Sequence, residues 1–266
     1  MKHQFEEIEI HIATGGRDFD RGADTLIMLH GSGQNHLTWV LQSRYFAYRG
    51  YSVLAPDFPG HGLSGGEPML SIEDMAAWLI ALIDSLGIEK STLIGHSQGA
   101  LIALEAASSH PHKFTKLALI AGAMKIPVNE DLISLSDTAL AEAIAAMLSW
   151  GHGPNAHMHD NTQPGHSFIG YGSRLMASNE NGALRADLMA CNAYQNGSKA
   201  AKSINLPTSC ILAAKDRMTP IKMGKALAAT LPNSEEIIIP CAGHMLPAEC
   251  PNEVNTALKS FFQQPR

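Results

Sequence analysis

The stretch Ser91-Thr92-Leu93-Ile94-Gly95-His96-Ser97-Gln98-Gly99-Ala100-Leu101-Ile102 sets a glycine-flanked serine between two apolar runs. Residues 91–94 have the composition of a buried strand, and Ala100-Leu101-Ile102-Ala103-Leu104-Glu105-Ala106-Ala107 has that of a helix. The spacing predicts a strand, a tight turn and a helix, with Ser97 at the turn, which is a nucleophile elbow. Such a turn holds the serine in a strained backbone conformation that only small neighbours tolerate, and Gly95 and Gly99 meet that demand. The hydroxyl then stands clear of the sheet, and the backbone N–H groups that open the helix face any negative charge developing beside it. A Gly-x-Ser-x-Gly match alone equally describes a plain turn, so the decision rests on a base and an acid farther along.

Both are present. Ile211-Leu212-Ala213-Ala214-Lys215-Asp216 reads as a short buried strand with an aspartate at its carboxyl end, just before the turn-forming Thr219-Pro220. Glu235-Glu236-Ile237-Ile238-Ile239-Pro240 is a second β-rich run, and it leads into Cys241-Ala242-Gly243-His244-Met245. Asp216 is the candidate acid and His244 the candidate base. Asp187 competes with Asp216, but it lies in a helix-like stretch, 182–190, with no strand before it. A serine hydroxyl is a poor nucleophile at neutral pH, so an imidazole must take its proton, and a buried carboxylate must hold the ring and stabilise the imidazolium. Of the 13 histidines, His30 and His61 suit structural hydrogen bonds, and His96 is expected to pack under the elbow.

Four segments together resemble the α/β-hydrolase superfamily over essentially the whole chain. They are Leu29-His30-Gly31-Ser32-Gly33, Asp57-Phe58-Pro59-Gly60-His61-Gly62-Leu63-Ser64, Gly95-His96-Ser97-Gln98-Gly99 and Ala242-Gly243-His244-Met245. The chain order Ser97, Asp216, His244 is the order of that fold. The resemblance implies that the loop after the first central strand lends an oxyanion N–H, carried here to Ser32, with Gln98 supplying the other. The family's second location for the acid, after Leu117-Ala118-Leu119-Ile120, holds Ala121-Gly122-Ala123 and no carboxylate. The implied activity is that of a cofactor-free serine hydrolase cleaving a small carboxylic ester through an acyl-enzyme. Three alternatives stay open: a carbon–carbon bond hydrolase of the ring-cleavage type, a perhydrolase or haloperoxidase-like activity, and a small-ligand receptor that keeps the triad. The partial match of Gly31-Ser32-Gly33-Gln34 to the carbon–carbon bond hydrolases stops after Gly33.

The run of strands and helices predicts an α/β fold, with a mainly parallel central sheet flanked by helices. Strands are expected at 25–29, 51–56, 91–95, 116–121, 210–214 and 236–239, and helices at 221–231 and 251–262. Residues 4–12 read as one edge strand, with a leading strand reduced or missing. Between 124 and 202 no strand pattern occurs, while 131–148, 168–177 and 182–193 are helix-like, so this stretch is expected to be a helical cap on a core of 1–123 and 203–266. Met147, Trp150, Phe168, Tyr171, Leu175 and Met176 lie there, as cap core or as pocket lining.

The same region carries His152, His157, His159 and His166. His157-Met158-His159-Asp160 has incomplete ligand spacing amid Gly, Pro and Asn, so it reads as a polar loop and no metal is expected. Cys191, Cys210, Cys241 and Cys250 show no zinc or dithiol spacing and are expected to be free thiols. A net charge of −6 with scattered basic residues gives no surface for nucleic acid or an anionic membrane, which leaves a small-molecule substrate as the expected partner. Acids at Glu6 and Glu7 and the lack of a spanning apolar run suggest a cytoplasmic location. Nothing in the residues sets an oligomeric state.

Overall fold

Every residue of Thr25-Leu26-Ile27-Met28-Leu29 is buried, as is every residue of the strand that leads into the elbow, which requires a sheet covered on both faces. In the computed structural model, which describes residues 1–158 and 167–264, eight strands supply that sheet. They are β1 (Lys2–Phe5), β2 (Ile8–Ala13), β3 (Thr25–Leu29), β4 (Ser52–Pro56), β5 (Ser91–His96), β6 (Phe114–Ile120), β7 (Thr208–Ala213) and β8 (Ser234–Ile239). Their order is β1-β2-β4-β3-β5-β6-β7-β8, antiparallel at the β1-β2 and β2-β4 pairs and parallel elsewhere.

The two-residue period of the strands divides the core. Ile27, Leu29, Leu93, Leu117, Leu119 and Leu212 pack on one side, against helices α2 (Ile72–Ser85) and α3 (Gln98–Ser109). Leu26, Met28, Ile94, Ile120 and Ile211 pack on the other, against α1 (Val40–Ala47) and a later helix ending near Phe261. Ser71 caps α2 by accepting from Asp74 N at 3.0 Å, and Gly87 ends it at φ +68°, donating to Asp84 O at 2.9 Å.

Between β6 and β7 the described residues contain only helices: α4 (Glu130–Thr138), α5 (Leu140–Gly151), α6 (Pro154–Met158), α7 (Phe168–Met176), α8 (Ala183–Ala193) and α9 (Gly197–Ser203). Leu132, Ile144, Leu148, Leu175, Leu184 and Leu188 form a third apolar cluster inside this segment. The chain closes with α10 (Ile221–Thr230), α11 (Leu246–Glu249) and α12 (Pro251–Gln263). Among the described residues no helix is long and apolar enough to cross a membrane.

Two expectations change. Residues 4–12 form a hairpin rather than one strand, because the chain reverses at Glu6 and Glu7, with Glu6 at φ +54°; both leading strands exist, the first four residues long. The helix expected over 131–148 breaks at Ala139, whose backbone leaves the helical region (φ −150°, ψ 66°). Both halves bury their apolar face in the same cluster, so the hydrophobic period runs through the break and conceals it.

Candidate active site

Ser97 sits between β5 and α3 with φ 56° and ψ −118°. A Cβ at Gly95 would lie 2.2 Å from Gly99 O, and one at Gly99 would lie 2.4 Å from Leu29 O, so the turn admits no side chain at either place. Of the described non-glycine residues, only Glu6, Ser97 and Ala121 have positive φ, and the last two end adjacent strands beside the site.

The structure brings Ser97, Asp216 and His244 together. His244 Nε2 is 2.8 Å from Ser97 Oγ, and His244 Nδ1 is 2.8 Å from Asp216 Oδ2. All three residues are buried, each at the carboxyl end of a strand or in the loop beyond it, where open α/β sheets place ligands. Asp216 is fixed from its other side: Met218 N and Thr219 N each donate to Oδ1 at 2.8 Å, and Thr219 Oγ1 lies 2.7 Å from Oδ2. Burial works to raise the Asp216 carboxyl, but the His244 ring and the Thr219 donors outweigh it and hold the group below the usual carboxylate value. Thr219 Oγ1 is also 2.9 Å from Ala121 O and 3.2 Å from His244 Nδ1.

The loop bearing His244 is tied to the helical segment. His244 N and Met245 N donate to Gly151 O at 2.7 and 3.2 Å. The Glu249 carboxylate accepts from Gly153 N at 2.8 Å, Gly243 N at 3.1 Å and Met245 N at 3.1 Å. Beneath the ring, fully buried His96 donates through Nε2 to His244 O at 2.8 Å, and burial lowers its pKa to about 3, so it is a neutral donor.

Gln98 follows Ser97 in the chain and Ser32 lines the same cavity as Ser97, and among the described residues neither backbone N–H has a protein acceptor. Both residues are buried, and Ser32 lines a cavity of about 260 Å³ together with Ser97, His244, Met147, Trp150 and Leu188. Of the six aromatic and apolar residues anticipated here, Met147 and Trp150 face this cavity. Phe168, Tyr171, Leu175 and Met176 instead border a separate hollow of about 40 Å³. A larger hollow of about 510 Å³ opens where β3 and β5 begin, at the opposite end of the sheet from Ser97.

Asp187 makes no bond to His244. It reaches from α8 to the Ser32–Gly33 loop, accepting from Gly33 N at 2.7 Å, His61 Nε2 at 2.9 Å and Gln98 Nε2 at 3.2 Å. In the sequence Asp187 reads only as a rival acid, and Thr219 and Glu249 carry no functional signal. A helix residue, a turn residue before proline and an acid after the His244 loop form no chemical pattern along the chain.

His11, His36 and Asp57 place ligand-type atoms within 4.8 Å of one another. Within it the Asp57 carboxylate accepts from His36 N at 2.6 Å, His36 Nδ1 at 2.8 Å and Leu63 N at 3.0 Å, and the His11 ring centroid lies 4.5 Å from that of His36. Of the four histidines in the helical segment, His152 is buried, with Nδ1 2.9 Å from Leu148 O, and His157 is exposed, while His159, Asp160 and His166 lie outside the described residues. Cys191, Cys210 and Cys250 are buried and Cys241 is exposed, but Cys241 Sγ lies 3.5 Å from Cys250 Sγ, a proximity that their separation in sequence did not announce. Cys191 lines the cavity, and burial pushes its thiol up to about 12.

A family model described as the alpha/beta hydrolase fold matches residues 24–250. The chain is 28% identical over 276 residues, 98% of this chain and 95% of the other, to a 2-hydroxy-6-oxononadienedioate/2-hydroxy-6-oxononatrienedioate hydrolase 2 of Pseudomonas putida. The fold superposes on the enol-lactonase from Burkholderia xenovorans LB400 with a TM-score of 0.88 at 19% identity, covering 99% of this chain and 100% of that one. It superposes on a thermophilic esterase from Thermogutta terrifontis with a TM-score of 0.81 at 21% identity, covering 96% and 93%. With the family model spanning most of its length, the chain belongs to the α/β-hydrolase family and to the hydrolase class of enzymes.

Proposed function

We propose that this hydrolase cleaves a small carboxylic ester through an acyl-enzyme formed on Ser97. The observation that carries the reading is the continuous chain from Ser97 Oγ to His244 Nε2 and from His244 Nδ1 to Asp216 Oδ2, 2.8 Å at each link. Asp216, held ionised, keeps the proton on Nδ1, so Nε2 is free to take the serine proton as Oγ attacks the carbonyl. Negative charge then builds on the former carbonyl oxygen, where the unpaired N–H groups of Ser32 and Gln98 receive it. Losing one such donor costs roughly 3 to 4 kcal/mol of transition-state stabilisation. The imidazolium returns its proton to the leaving alcohol, and water repeats the sequence to release the acid.

Residues 124–202 act as a cap over a core of 1–123 and 203–266, since Met147, Trp150 and Leu188 from that stretch line the cavity beside Ser97. A space of about 260 Å³ is near the low end for ligand pockets, which favours a small and partly apolar ester. Turnover of p-nitrophenyl esters of increasing acyl length tests the reading. Ser97→Ala is expected to abolish turnover while circular dichroism and Tm stay as in the wild type, and retained activity in that variant removes Ser97 from the mechanism.

A second reading, hydrolysis of a carbon–carbon bond in a ring-cleavage product, is favoured by the name of the Pseudomonas putida relative. Faster consumption of a vinylogous diketone than of a short aryl ester selects it over the ester.

A further inference from the structure

We infer that the buried Asp187–His61 ion pair is the positioning device of the oxyanion hole, joining both of its donor arms to helix α8; this rests on the serine-hydrolase reading above. The protonation states follow from the partners. His61 Nδ1 lies 3.0 Å from Pro59 O and Nε2 lies 2.9 Å from Asp187 Oδ2. A carbonyl and a carboxylate only accept, so each ring nitrogen carries a proton and His61 is an imidazolium. Among the described residues the titratable groups that face it are Asp187 from α8, Asp57 after β4 and His30 after β3. Burial opposes its charge, but Asp187 outweighs burial and raises its pKa. His30 does not compete for the carboxylate. Its Nδ1 is 3.0 Å from Gly31 O and its Nε2 accepts from Phe58 N at 3.3 Å, so it is neutral, with a pKa that burial lowers to about 4.

The Asp187 carboxylate divides its bonds between the two arms. Oδ2 takes Gly33 N, the amide next to the Ser32 donor, together with His61. Oδ1 takes the side chain of Gln98, whose own backbone N–H is the second donor. Gly33 is pressed against the same helical segment: at φ +65°, a Cβ there would lie 2.8 Å from both Leu184 Cδ1 and Met176 Cε. A buried ion pair contributes little net stability compared with an apolar pair of the same volume. Donors to a developing oxyanion, in contrast, must be held to within about 0.5 Å, and a displacement of about 1 Å caused from a distance costs on the order of 100-fold in rate. The placement of Asp187 thus answers a demand for position.

The test compares wild type, Asp187→Asn, His61→Gln and Ile144→Ala, the last loosening the apolar cluster of the helical segment without touching the pair. Each is assayed for kcat and KM on p-nitrophenyl acetate, for the rate of Ser97 labelling by a fluorophosphonate, and for Tm. Asp187→Asn is expected to lower kcat and the labelling rate on the order of 100-fold, with KM within about threefold of wild type. Ile144→Ala is expected to lose Tm yet keep kcat within about threefold, because a core truncation costs stability without moving the donors. A folded Asp187→Asn protein with wild-type kcat and labelling overturns the inference while leaving the hydrolase reading intact. If Asp187→Asn does not fold, His61→Gln, which keeps a neutral donor toward Asp187, decides alone: a clear fall in kcat at unchanged KM supports positioning, and wild-type kcat overturns it. Wild-type protein that neither turns over the ester nor is labelled at Ser97 overturns both readings together.

Discussion

Asp216 accepts two backbone N–H groups and lies against the Thr219 hydroxyl, so its charge is arranged before any substrate arrives. Under the proposed mechanism, Asp216→Asn leaves the His244 ring in the wrong tautomer and is expected to reduce kcat by about 10⁴-fold, as read from initial rates with saturating ester. Thr219→Val removes one bond to a charged group, worth about 1.5–3 kcal/mol, and is expected to lower both kcat, by roughly tenfold or more, and the urea midpoint. Unchanged kinetics in that variant would reduce Thr219 to a turn residue. Ser97, Asp216 and His244 are legible in the sequence because each follows an apolar strand run. Thr219 is not, because Thr-Pro announces a turn and says nothing of where the hydroxyl points.

The elbow and the His244 loop are held by different means. At the elbow the constraint is steric, and Gly99→Ala sets a methyl group 2.4 Å from Leu29 O on the neighbouring central strand. Backbone on both sides leaves nothing to yield, so the expected loss is about 3 kcal/mol or more, measured as a fall in Tm or in soluble yield. The His244 loop is held by the three N–H bonds to Glu249 and by the shared Gly151 carbonyl. Glu249→Ala leaves buried donors without partners, and the expected outcome is a lower Tm together with a lower kcat, while the far-UV spectrum stays the same. Retention of full activity in Glu249→Ala would show that the loop is positioned without it.

Across the molecule, buried ion pairs and hydrogen-bonded carboxylates give stability a pH window. Asp57, Asp187 and Asp216 all sit below their ordinary value of 3.8, despite burial, so what they contribute is present above 3.8 and lost as pH falls through their folded values. His61 is raised above 6.5, so its contribution is complete below 6.5 and lost as pH rises through its folded value. The stability gap between wild type and His61→Gln, taken from urea midpoints, is therefore expected to be widest between 3.8 and 6.5 and to close toward alkaline pH. A gap that stays constant from pH 5 to about pH 10 would mean that His61 is not the imidazolium its partners require.

Local order was present in the chain from the outset. Apolar runs of strand length, the two-residue alternation between core faces and the glycines of the elbow act over a few neighbouring residues, and they carry the α/β sheet and the positions of Ser97, Asp216 and His244. Folding alone determined which distant groups meet: Asp187 with Gly33, His61 and Gln98, and Glu249 with Gly153. These pairings depend on how the helical segment docks onto the sheet. Docking depends on shape complementarity and on satisfying buried polar groups, and neither leaves a periodic trace along the polymer.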